Sequence, residues 1–124
     1  MDVLLFSLQV IVALGLLNVW LLRAGKATAY RGGDAQSIRE EFAVYGLPPA
    51  AMYLVGGLKI LIAIALIAGL WFMELIAPAA IVLIILMLGA FAMHLKVKDP
   101  LLKAVPSLLM LAMAIAILAI NALA

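Results

Sequence analysis

Residues 53–71 read YLVGGLKILIAIALIAGLW, long and apolar enough to cross a bilayer, yet Lys59 stands in the first half of the run. About 20 residues at 1.5 Å per residue span a ~30 Å hydrocarbon core. A lysine inside costs roughly 2.5–3.5 kcal/mol on insertion scales. Three further apolar runs share this character, and together they predict spans at about 3–22, 50–73, 75–95 and 104–123. The first is interrupted only by Ser7, Gln9, Asn18 and a glycine. The expected fold is an all-α integral membrane four-helix bundle, a single domain over residues 1–124.

Composition leaves little alternative. The chain is 70% hydrophobic and 11% charged, with a mean hydropathy of +1.37. An ordinary soluble domain is about half apolar and a quarter charged, and 124 residues offer too little interior to hide the excess. A signal peptide is the competing reading of the first run, because Ala27-Thr28-Ala29 resembles a small-residue cleavage site. The segment ahead of that run carries no Lys or Arg, so a retained helix is expected.

The polar stretch 23–49 is expected to hold one short helix, about 38–45. Ser37 and Glu40 are spaced as a capping box. Ile38, Phe42 and Tyr45 fall on one helical face, and Gly46 and Pro48 supply a stop. Such a helix, with Arg39, Glu40 and Glu41 beside an apolar stripe, suits the membrane interface. Glu74 and Pro78 mark a tight hairpin between the second and third spans, and Asp99-Pro100 reads as N-cap and first residue of the fourth. Pro106 is expected to kink that span.

Orientation follows from charge. Arg23, Lys26, Arg31 and Arg39 lie in the first loop and Lys96, Lys98 and Lys103 in the third; the termini and the second loop carry no Lys or Arg. The positive-inside rule then places loops 23–49 and 96–103 in the cytoplasm, both termini outside, and the chain in the cell (inner) membrane. This bias also disfavours a dual-topology exporter or channel. Small residues at Ala65-x-x-x-Gly69 and Ala112-x-x-x-Ala116 suit helix packing in lipid.

In this topology Lys59 lies about 13 Å below the cytoplasmic boundary, and Asn18, His94 and Ser107 share its half of the membrane. Gly56, one turn away, leaves room for the lysine to run toward the surface. A carboxylate partner, Glu40 or Glu41, is expected for a buried ammonium. Lys59, His94, Asn18, Glu40, Glu41 and Ser107 are therefore the candidates for a polar cluster or ligand site. Against this stand plain snorkelling for Lys59, an interfacial anchor for His94 and interhelical glue for Asn18 and Ser107.

Several function classes find no support. No cysteine is present and His94 is the one histidine, so thiol chemistry and a protein-only zinc site are excluded. No basic patch interleaved with aromatics suggests nucleic acid. No Ser/His/Asp spacing or phosphate-binding glycine loop marks a catalytic set.

The segment His94 to Leu101 (HLKVKDPL), the YGLP turn at Tyr45–Pro48 and VGGLKI at the head of the second span resemble the DoxX-like family. The resemblance implies a four-helix membrane protein in which His94, Val97, Asp99 and Pro100 form a junction motif. Relatives include small subunits linked to thiosulfate or quinone oxidation, members of oxidative-stress complexes, and membrane chaperones for receptors. Many carry a glutamate near the position of Lys59, so carboxylate chemistry does not transfer here. Three functions are expected, in order. The first is a non-catalytic accessory, scaffold or assembly subunit with a membrane-protein partner or self-association. The second is a quinone- or lipid-binding component of an oxidoreductase, and the third a small transporter using Lys59.

Overall fold

The structure is a computed structural model that describes residues 2–22, 25, 31–33 and 35–123. Arg23, Lys26, the cleavage-like residues 27–29 and Asp34 lie outside the described residues.

Helix α1 (Asp2–Leu17) runs into a π-helical turn, Asn18–Leu22. Helix α2 (Ile38–Val44) is short, and α3 (Pro49–Ala68), α4 (Ile76–Lys96) and α5 (Leu101–Leu123) complete the fold. Four helices are long and apolar enough to cross a membrane, with mean hydropathies of 2.2, 2.2, 2.7 and 2.3 in chain order. They alternate in direction: Gln9, early in α1, meets the end of α3 at Leu66, and Trp20 meets Gly56 near the start of α3. The start of α1 and the end of α5 thus share one end of the bundle, opposite the end that carries α2 and residues 97–100, here called the loop end.

The core runs down the bundle axis through Leu5, Val12, Leu66, Leu83 and Ile117. Each long helix also turns large apolar side chains outward, Ile11, Leu61, Ile85 and Leu109 being more than half exposed. Apolar surface on that scale belongs against lipid, where helices associate by close packing rather than by the hydrophobic effect.

Two boundaries differ from those read in the sequence, each for a local reason. Helix α3 ends at Ala68 although apolar residues continue to Met73, because Leu70 turns its N–H to Ile67 instead of Leu66. The released Leu66 carbonyl accepts from the buried Gln9 side chain at 2.9 Å. Helix α5 starts at Leu101, three residues before the expected 104: the N–H of Lys103 bonds the Pro100 carbonyl, and its ammonium returns to the carbonyl of Gly33. Asp99 spends its carboxylate on other partners, described below. Helix α5 also continues through Pro106. In the small-residue pair on this helix, Ala112 is exposed, so that stripe is not a buried seam.

The short helix forms as its capping residues dictate. The Glu40 N–H donates to Ser37 Oγ at 3.2 Å, and the Glu40 carboxylate accepts from the Gln36 N–H at 3.0 Å. At the other end Leu47 N–H reaches the Phe42 carbonyl and Gly46 N–H that of Ala43, a Schellman stop with Gly46 left-handed at φ +79°. Ile38 is buried beneath it, which lays α2 across the loop end.

Candidate functional site

The site is built where α1, α2 and α3 converge with the α4–α5 turn. The π-helical turn closes α1, a feature that recurs at functional sites, and carries Trp20 inward. The ring fills the notch left by Gly56, where a Cβ would stand 2.7 Å from it. Sequence reasoning reserved that notch for Lys59; the indole occupies it. Lys59 lies instead on the face of the indole, its ammonium 5.2 Å from the ring centroid. Phe42 of α2 meets the same indole edge-on at 6.1 Å.

Neither carboxylate expected for Lys59 pairs with it. Glu41 Oε2 accepts from Arg31 at 3.2 Å, and Oε1 accepts from the Tyr45 hydroxyl at 2.7 Å. Glu40 is taken up in the α2 cap. Among the described residues no carboxylate lies within ion-pair distance of Lys59: Trp20 is its close contact, and the Glu41 charge acts on it only from farther away.

A second cluster stands beside it. His94 is 6% exposed, and its Nδ1 lies 2.8 Å from Asp99 Oδ2. Asp99 Oδ1 accepts from the Gly33 N–H at 3.0 Å, with the Lys103 ammonium 3.9 Å away. Burial raises the Asp99 pKa, but the bonds from His94 and Gly33 and the charge of Lys103 outweigh it and hold the carboxyl below the usual range. An ionised carboxylate can only accept, so Nδ1 of His94 carries the hydrogen and Nε2 is left without one in the neutral ring. Tyr45 packs edge-on against the imidazole at 5.9 Å. Its phenol is pushed well above its ordinary range, first by burial and then by the bond to Glu41, so it stays a donor. Lys96 ties down the Tyr45 carbonyl at 2.8 Å.

Two lobes of a cavity, about 280 and 520 Å³, flank the Trp20–Lys59 contact. Trp20, Arg31, Glu41 and Lys59 line both. His94, Asn18, Lys103 and Ser107 line the larger. The structure therefore brings Lys59, His94, Asn18, Glu41 and Ser107 to one cavity, and leaves Glu40 outside its lining. Asn18 is exposed at its rim. Ser107 donates to the Ala104 carbonyl of its own helix at 2.8 Å, so it links no second helix. Val97 caps α4 and Pro100 precedes α5; both shape the turn that presents Asp99.

Trp20, Arg31, Gly33 and Lys103 were not singled out from the sequence as site residues. One signal was present for Trp20, an aromatic residue late in a span opposite a glycine. Gly33 and Lys103 join positions 66 and 70 residues apart, which no local pattern marks, and Arg31 meets Glu41 across ten residues.

Fold and site together define a four-helix membrane protein with a chamber at its loop end, mostly apolar and set with a few charged groups. Residues 12–117 match the model of the DoxX-like family, and the chain belongs to that family. No curated protein and no solved structure gives a significant match.

Proposed function

We propose that this protein is a non-catalytic accessory subunit of the cell (inner) membrane that holds a lipid-soluble ligand, of quinone or lipid type, in the chamber around Lys59. The observation that carries the reading is the Lys59 ammonium: it opens on the cavity and has no acceptor oxygen among the described residues. A cation–π contact is worth roughly 0.5–2 kcal/mol, short of the roughly 2.5–3.5 kcal/mol a buried lysine costs. An oxygen-bearing ligand would make up the difference. Cavities of roughly 300–1,000 Å³ hold small molecules, and the larger lobe falls in that range at about 520 Å³.

The test is what co-purifies in mild detergent. Extraction and mass spectrometry should recover a lipid-soluble molecule in stoichiometric amount from the wild type and much less from Lys59→Met. Equal recovery from both, or none from either, sinks the reading. The proposed orientation has the loop end in the cytoplasm, and a reporter fused after Ala124 should be active outside only.

A further inference from the structure

The chamber's charges come close to pairing off. Arg31 is matched by Glu41, whose two oxygens are taken by Arg31 and Tyr45. Lys103 faces Asp99, whose oxygens are taken by Gly33 and His94. Lys59 is the cation left over: no carboxylate among the described residues lies within ion-pair distance of it, the Glu41 charge that reaches it from farther away is shared with Arg31, and an aromatic face supplies no negative charge. A neutral carbonyl ligand would fill its hydrogen bonds and leave its charge unbalanced. An anion does both, through a bond of the stronger, charge-assisted kind.

The rest of the larger lobe describes the other half of the ligand. It lies between α1 and α5, where Val19 and Leu109 are 38% and 58% exposed on the lipid-facing side. Met87, Met110 and Met113 line it, unbranched side chains that adapt to an irregular apolar guest. Its volume of about 520 Å³ is that of one drug-sized molecule, and a two-chain phospholipid exceeds it.

We infer that the chamber takes a single-chain amphiphile with one negative charge, a fatty-acid carboxylate, its headgroup on Lys59 and its chain lying within the lobe between α1 and α5. This rests on the ligand-holding reading above and narrows it.

Trp20 is the natural probe, since the chain has two tryptophans and Trp71 is 73% exposed at the opposite end. The purified full chain carrying Trp71→Phe is titrated in mild detergent with oleate, methyl oleate and a short-tailed benzoquinone. Oleate should shift Trp20 emission at a concentration at least about tenfold below that of its methyl ester. Lys59→Met should abolish the preference for the anion, and Lys59→Arg should keep it. Equal response to acid and ester, or a response to the quinone alone, overturns the fatty acid and leaves the ligand-holding reading standing. Should none of the three ligands move the emission, both fall.

Discussion

At the scale of single residues, the contact between Trp20 and Lys59 depends on an absent side chain at position 56. A methyl group there would collide with the indole, and overpacking of this kind costs about 1–3 kcal/mol. Gly56→Ala should therefore lower stability by that amount in the wild type and by much less beside Trp20→Leu, where the notch is vacant. The two substitutions share one space, so their effects should fail to add; denaturant titration of both singles and the double in detergent measures the coupling. Additive effects would mean that the indole does not sit in the notch.

At the scale of elements, the end of α4 is a Schellman turn without its usual glycine. Asp99 N–H bonds the His94 carbonyl and Lys98 N–H that of Leu95, with Lys98 left-handed at φ +57°. A side chain in that region costs roughly 1–2 kcal/mol, partly offset because glycine loses more freedom on folding. Lys98→Gly should raise stability by about 0.5–1 kcal/mol, read as a higher melting temperature with unchanged helix content. The turn sets Asp99 beneath His94, and this gives the protein a pH dependence. The Asp99 pKa is lower folded than unfolded. Its contribution is therefore complete above the unfolded carboxylate value of ~3.9 and disappears as pH falls through the folded value. Wild type should lose stability at the acid end of that window, and Asp99→Asn, already weakened by about 1–3 kcal/mol at neutral pH, should lack this component. Parallel melting curves from pH 6 to 3 for the two proteins make the comparison. The residues themselves marked Asp99 as a helix cap, and the family resemblance placed it in a junction motif, but its bond from Gly33 joins a segment 66 residues away and left no local trace; the helix-ending signals at Gly46 and Pro48 were legible because they act locally.

At the scale of the whole molecule, four apolar runs and their lengths were enough to read a bundle, since lipid forces a spanning chain to satisfy its backbone within helices. The span ends were less legible. Leu70, Trp71 and Phe72 are as apolar as the helix before them, yet they turn, and composition does not distinguish the two. Gln9 marks that turn: with its Oε1 buried and unbonded among the described residues, it is held by a single bond to Leu66. Gln9→Leu should destabilise the bundle by no more than about 1 kcal/mol, since the orphaned oxygen goes with the lost bond; a loss of several kcal/mol would assign the glutamine a further role. The bonds from Gly33 to Asp99 and Lys103 tie the first loop to a segment made more than sixty residues later. During synthesis, then, α1 to α4 can enter the bilayer with α2 already seated on Trp20 and Lys96, while Gly33 waits for Asp99 and Lys103 to arrive with α5. A nascent chain stopped after Lys96 should leave the stretch around Gly33 open to protease, and the full chain should shield it, so the fourth long helix fastens a segment made before the second.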